Sequence, residues 1–127
     1  MSETTGPALR GEVRVAFEER AEGGRVARVT IAHEAKLNTL NPGLMQRFAA
    51  AMAELGTLED LRAVVLTGAG ARAFIGGADI GAMAAIADGA AAEAFIRLVH
   101  GCCAAVRDCP APVVGRINGW TLGAGLE

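Results

Sequence analysis

Two segments of this 127-residue sequence place small residues next to groups that can do chemistry. They are Phe74-Ile75-Gly76-Gly77-Ala78-Asp79-Ile80 and Asn118-Gly119-Trp120-Thr121-Leu122-Gly123-Ala124-Gly125-Leu126-Glu127. Each follows an aliphatic run that reads as a buried strand, and loops at strand ends in α/β proteins are favoured ligand sites. Gly-Gly-Ala and Gly-Ala-Gly cannot shield their backbone N–H groups, so a ligand can approach these donors closely. Two such loops facing one another could each offer one N–H to a single oxygen, the geometry of an oxyanion hole. Glu127 lies three residues after Ala124 and would share its face in a helical turn. A carboxylate there could move a proton beside the held oxygen, a contribution of about 10²–10⁴-fold. The plainer alternative is a solvated acid in the first turn of a helix, where negative charge is favourable.

Other reactive side chains fit structural roles. Asp79 is placed to cap the turn that follows it. The three cysteines, Cys102, Cys103 and Cys109, are odd in number and include an adjacent pair. They read as small buried hydrophobes rather than a disulfide framework. His33 and His100 are the only histidines, too few for a zinc site, and are expected on a loop and a helix surface. Trp120 reads as a packing or pocket-wall residue. Gly68-Ala69-Gly70-Ala71-Arg72-Ala73 matches G-x-G-x-x-A after a strand. Dinucleotide binding also demands a helix beginning inside that motif. Phe74–Gly77 follows instead, and Gly76-Gly77 is a poor helix interior.

The elements that must carry these loops can be read from periodicity. Val13, Val15 and Phe17 alternate with polar or small residues, as in a half-buried strand. Gly23-Gly24 turns the chain into a second strand, Arg25–Ala32, to give a hairpin. His33–Leu40 is a loop. Asn41 and Pro42 can start a helix whose inner face holds Leu44, Met45, Phe48, Met52 and Leu55, with Gly56 as its stop. Arg62–Thr67 and Val113–Asn118 read as strands buried on both faces. A helix over Ala91–Arg107 would turn Phe95, Leu98, Val99, Cys102 and Val106 inward. Gly123–Glu127 could open a further helix. This alternation argues α/β, with a flexible tail over 1–11 and a core over 12–127.

Composition narrows the function. Hydrophobic residues make up 52% and aromatics 4%, so an aliphatic core is available and an aromatic recognition surface is not. Net charge is -2 and lysine is nearly absent, so no phosphate-neutralising patch for nucleic acid is visible. Met1–Arg10 lacks an apolar signal core, and no apolar run approaches the ~20 residues of a membrane span. A soluble cytoplasmic protein is expected.

Three segments, in order, resemble one family. Lys36-Leu37-Asn38-Thr39-Leu40 is similar to the K-x-N-A-L segment of the crotonase (enoyl-CoA hydratase/isomerase) superfamily. Ala63–Asp79 resembles its strand and F-x-x-G-A-D loop. Pro112–Glu127 resembles its P-V-I-A-x-[IV]-N-G-x-[AC]-x-G-[GA]-G-x-E segment. Ala32-His33-Glu34 departs from the usual N-R-P, and Ile75 stands where a small residue is common.

The resemblance implies a crotonase (ClpP-like) spiral of repeated ββα units, incomplete at its C-terminus. It implies an enzyme that adds water to 2-enoyl-CoA thioesters through a stabilised enolate. An enoyl-CoA isomerase, or an incomplete fragment that only binds acyl-CoA or assembles, are the alternatives. The implied N–H donors are those of Ala78 and Ala124, with Glu127 as first catalytic acid. Lys36, Leu37, Gly77, Asp79 and Gly123 are implied substrate contacts, Lys36 near the CoA phosphates. Coenzyme A enters with the substrate, and no metal or other cofactor is implied. The family's second acid, the rest of its acyl pocket and its trimerisation helices would lie beyond residue 127. The full-length form is expected to be a homotrimer or a dimer of trimers.

Overall fold

The protein is described here by a computed structural model over residues 10–127. The tail expected over 1–11 therefore lies outside the described residues, apart from Arg10 and Gly11. Those two are tied down. Asn41 donates to the Arg10 carbonyl at 3.0 Å, and the Arg47 guanidinium donates to the Gly11 carbonyl at 3.1 Å.

The chain begins with an antiparallel hairpin, β1 (Glu12–Glu19) and β2 (Arg25–Ala32), in the register Val15 opposite Val29 and Phe17 opposite Ala27. Gly23 and Gly24 make the turn with φ of 93° and 81°, values that favour glycine. In β2 the alternation becomes full burial, since Ala27, Val29 and Ile31 expose nothing. In β1 it does not: Val15 and Phe17 remain 39% and 43% exposed. β1 is the edge of the sheet, and these two side chains overlook an open hollow beside Ala51 and Leu55. The Arg25 guanidinium fills part of that gap, 4.4 Å from the Phe17 ring centroid.

A 3-10 turn (Glu34–Lys36) leads to α1 (Pro42–Leu55). The Asn41 side chain accepts from the Leu44 N–H at 2.8 Å, and Pro42 occupies the first turn, where a missing N–H is harmless. Leu44, Met45, Phe48, Met52 and Leu55 are all buried, so the expected inner face is the observed one. Each contributes about 1.5–3 kcal/mol by leaving water.

The sheet continues with β3 (Leu61–Gly68), parallel to β2, and β5 (Val113–Arg116), parallel to β3, in the order β1-β2-β3-β5. β5 was expected to be covered on both faces. It is instead largely exposed, with Val114 at 53% and nearby Ile117 at 60%. Among the described residues it is the other edge of the sheet, paired on one side only.

Helix α2 (Ile80–Ala84) is a short turn, and α3 (Gly89–Arg107) begins two residues earlier than its periodicity suggested because Asp88 caps it. α3 packs on α1 through Val99 and Cys102, and the Cys102 thiol donates to the Met45 carbonyl at 3.5 Å. Burial, with a smaller push from Cys103, raises the Cys102 thiol to about 11, so it stays protonated. All three cysteines are free thiols. By length and composition α3 would suffice to cross a membrane, which the residue-by-residue reading did not anticipate. Its inner stripe is held against α1.

Two short strands were missed altogether. β4 (Ala73–Ile75) and β6 (Trp120–Thr121) pair in parallel as a second, small sheet. β4 also occupies the place where a dinucleotide fold would need a helix. The order β1-β2-α1, β3-β4-α2-α3, β5-β6 is a succession of ββα units, the second with two helices.

Candidate active site

The two glycine-rich segments are brought into direct contact by backbone hydrogen bonds. The Trp120 N–H donates to the Arg72 carbonyl at 3.0 Å, and the Leu122 N–H donates to the Ile75 carbonyl at 3.2 Å. At Gly119 an added Cβ would lie 2.3 Å from the Arg72 carbonyl oxygen, and at Gly125 2.0 Å from that of Ile75. Only glycine permits such an approach.

The loops meet at Gly77 and Gly123. An added Cβ on Gly77 would lie 3.2 Å from the Leu122 carbonyl oxygen, and one on Gly123 would lie 3.8 Å from the Gly77 Cα. Both residues adopt left-handed φ values, 112° and 52°. Leu40 clamps the first loop from the other side. Its N–H donates to the Gly77 carbonyl, and its carbonyl accepts from the Asp79 N–H, both at 2.8 Å. Those bonds use the groups flanking Ala78. In extended backbone successive groups alternate in direction, so the Ala78 N–H points away from Leu40. In the second loop a 3-10 turn (Gly123–Gly125) forms where a helix start was expected. Its bonds run from the N–H groups of Gly125, Leu126 and Glu127. Among the described residues, neither the Ala78 nor the Ala124 N–H has a protein acceptor.

Ala124 and Glu127 line an open cavity of about 300 Å³, together with Leu40, Phe48, Leu66 and Phe74. Glu127 itself is exposed. Ala78 stands in the adjoining loop and does not line that cavity. Asp79 is occupied as a cap: its carboxylate accepts from the Ala82 N–H at 2.8 Å. Leu37 reaches the first loop through its carbonyl, which accepts from the Gly76 N–H at 3.0 Å. It also lines a second hollow of about 220 Å³ with Glu34, Asn38, Gly70 and Arg72. Leu37 and Asn38 both have φ of 53°. Asparagine tolerates this conformation, whereas for leucine it costs about 1–2 kcal/mol. Lys36 is exposed and lines neither hollow.

His33 is not on the surface as expected. It is 6% exposed, packed under Gly11, and its Nδ1 has no partner among the described residues. Gly11, at φ 72°, brings its backbone so close that an added Cβ would lie 2.9 Å from the imidazole Cγ. Trp120 is likewise no packing residue within the described chain, being 65% exposed. Sequence reasoning gave no role to Asn38 and Asn118. Both tie the root of the first loop to its neighbours; Asn118 follows the end of β5 by two residues, and Asn38 follows the 3-10 turn by two.

A spiral of ββα units with two backbone-locked glycine bends beside an acid-lined cavity defines a crotonase-type α/β protein. Comparison with known proteins agrees: the sequence profile described as enoyl-CoA hydratase/isomerase matches residues 21–127. The chain belongs to the enoyl-CoA hydratase/isomerase family, a family of enzymes. It is 33% identical over 104 residues to the short-chain-enoyl-CoA hydratase of Clostridium acetobutylicum, covering 82% of this chain and 40% of that protein. Among solved structures, an enoyl-CoA hydratase from Bacillus anthracis superposes with a TM-score of 0.76 at 27% identity, covering 87% of this chain and 42% of that one. An enoyl-CoA hydratase/carnithine racemase from Magnetospirillum magneticum gives 0.78 at 28% identity, covering 92% and 43%. The chain thus spans about 40% of the length of the relatives it matches.

Proposed function

We propose that this chain forms the thioester-activating part of an enoyl-CoA hydratase. The N–H groups of Ala78 and Ala124 hold the thioester oxygen of a 2-enoyl-CoA. Glu127 takes a proton from water as the water oxygen bonds to the β-carbon. The C=C electron pair moves toward the held oxygen, giving an enolate. The proton held by Glu127 then passes to the α-carbon, the thioester carbonyl re-forms and Glu127 is again ionised. Gly77 and Gly123 keep the approach to the two donors open, and Lys36, Leu37 and Asp79 belong to the rim that meets the CoA portion. Coenzyme A arrives with the substrate, and no separate cofactor enters these steps.

The observation that carries this reading is the pair of unpartnered amides on two interlocked glycine bends, one of them on the cavity that Glu127 lines. Each donor is worth about 3–4 kcal/mol of barrier. Because the donors are main-chain groups, truncating side chains cannot remove them, whereas Ala124→Leu would block the thioester. The working protein is read as cytoplasmic, as a homotrimer or dimer of trimers, and without nucleic-acid or membrane partners.

The test is hydration of crotonyl-CoA, followed as loss of the conjugated enoyl absorbance, in the chain and in Glu127→Gln. Turnover that falls at least ~10²-fold in the variant supports hydration. Conversion of a 3-enoyl-CoA without hydration would assign the isomerase reaction instead. The 40% coverage of relatives favours one further reading, a chain that binds acyl-CoA without turnover. Calorimetric binding with no turnover in either protein would establish it, and no binding at all would refute both.

A further inference from the structure

We propose that Asn38 and Asn118 are positioning residues that set the spacing between the Ala78 and Ala124 N–H groups by gripping one carbonyl, that of Ala73. The proposal rests on the thioester reading of those amides. Asn38 is 1% exposed and donates to the Ala73 carbonyl at 2.9 Å and the Ala69 carbonyl at 3.0 Å, while its Oδ1 accepts from the His33 N–H at 2.8 Å. The two hydrogens of the Asn118 side-chain NH2 are shared among three carbonyls, those of Gly68 and Gly70 at 2.8 and 2.9 Å and the same Ala73 carbonyl at 3.1 Å. Its Oδ1 accepts from the Gly68 N–H at 3.1 Å and the Thr67 hydroxyl at 3.3 Å. A carbonyl offers two lone pairs, so Ala73 can accept from both asparagines.

The place of that carbonyl gives the grip its consequence. Ala73 opens β4, which runs straight into Gly76-Gly77-Ala78. Asn118 immediately precedes the Gly119 contact and β6, which run into Gly123-Ala124. Asn118 is therefore a covalent part of the second loop's root and hydrogen-bonded to the first loop's root. Asn38 holds the same point from the segment that also clamps the first loop through Leu37 and Leu40. A change at Ala73 moves one donor relative to the other.

The test uses Asn118→Asp and Asn38→Asp, which keep size and one acceptor but turn an oxygen toward the carbonyls. Two readings are taken on each variant. Amide ¹H–¹⁵N cross-peaks report the backbone directly. Acetoacetyl-CoA, an acidic β-ketoacyl thioester, reports enolate stabilisation by its near-ultraviolet absorbance. The expected result is displaced cross-peaks for 76–79 and 122–125, unmoved peaks in the middle of α1, and an enolate-to-keto ratio about 10–100-fold lower in bound ligand, as misplacement of a donor by up to about 1 Å would produce. Should either aspartate variant fail to fold, the corresponding serine variant, Asn118→Ser or Asn38→Ser, keeps a hydroxyl donor without the charge and gives the same two readings. Unmoved Ala78 and Ala124 peaks in folded variants of both residues would overturn the proposal, as would an unchanged enolate ratio in ligand bound to them. If the unmutated chain leaves the acetoacetyl-CoA spectrum unchanged, the thioester reading fails by itself, and the cross-peaks still decide whether the clasp sets the amides.

Discussion

Replacing Gly119 with alanine is the sharpest test of how the two loops are joined. The added Cβ would sit 2.3 Å from the Arg72 carbonyl oxygen, 2.5 Å from its carbon and 2.7 Å from the Ala73 nitrogen. All three obstacles are backbone atoms, so no side-chain rotation relieves them. Reaching even 3.0 Å from that oxygen requires a shift of about 0.7 Å. The Trp120 N–H bond to Arg72, now 3.0 Å, lies in the path of that shift. Overpacking of this kind costs about 1–3 kcal/mol. A displacement of up to about 1 Å between catalytic groups costs up to about 10²-fold in rate. Urea unfolding measures the first quantity, and crotonyl-CoA turnover or the acetoacetyl-CoA enolate ratio the second. Gly89→Ala, at the start of α3 and away from the cavity, is the control, because its Cβ would meet nothing within 4 Å. If Gly119→Ala unfolds within 0.5 kcal/mol of the parent, about the scatter of neutral substitutions, and leaves the ligand reading unchanged, the backbone-to-backbone contact is not what holds the loops.

The remaining expectations test the scaffold. Gly101→Ala in the interior of α3 should stabilise by about 0.5–1 kcal/mol, since the added methyl meets nothing within 4 Å and glycine is a poor helix residue; the urea midpoint reads this. Phe48→Ala should cost about 3–5 kcal/mol, because Phe48 is 4% exposed at the junction of α1, the sheet and the cavity. The Arg25–Asp60 pair, with contacts of 2.7 and 3.0 Å, holds the Asp60 carboxyl below its ordinary value near 3.8, chiefly through the guanidinium hydrogen bond. A depressed folded-state value gives stability that is complete above the unfolded value and fades as pH falls through the folded one. The difference in urea midpoint between the parent and Asp60→Asn should therefore shrink as pH drops below about 3.8. A difference that persists unchanged to the lowest pH at which both fold would refute the linkage.

The long elements were legible because their signals are local. The α1 stripe of Leu44, Met45, Phe48, Met52 and Leu55 and its Asn41–Pro42 start need only the residues themselves. What failed was knowledge of what covers a face. Val15, Phe17 and Val114 are apolar in the right rhythm, yet β1 and β5 are the two edges of the sheet. Periodicity gives the direction of a side chain and says nothing of whether another layer lies over it. His33 failed in the opposite sense, since Gly11 closes over it from the N-terminal side.

The candidate site was legible in its residue types and not in its assembly. β4 and β6 are three and two residues long, too short for any period to show, and they exist as strands because they find each other. That pairing depends on glycine at Gly68, Gly119 and Gly125, where the backbone passes within side-chain distance of another backbone. The same glycines that left the loops looking featureless are thus the ones that join them. The asparagines complete the join, because a backbone stripped of side chains has unpaired carbonyls at its bends that something must satisfy. Asn38 and Asn118 supply those donors at the root of the loops, while the Ala78 and Ala124 amides have no acceptor among the described residues. A site of this design is sensitive to added volume at its glycines and to lost donors at its asparagines.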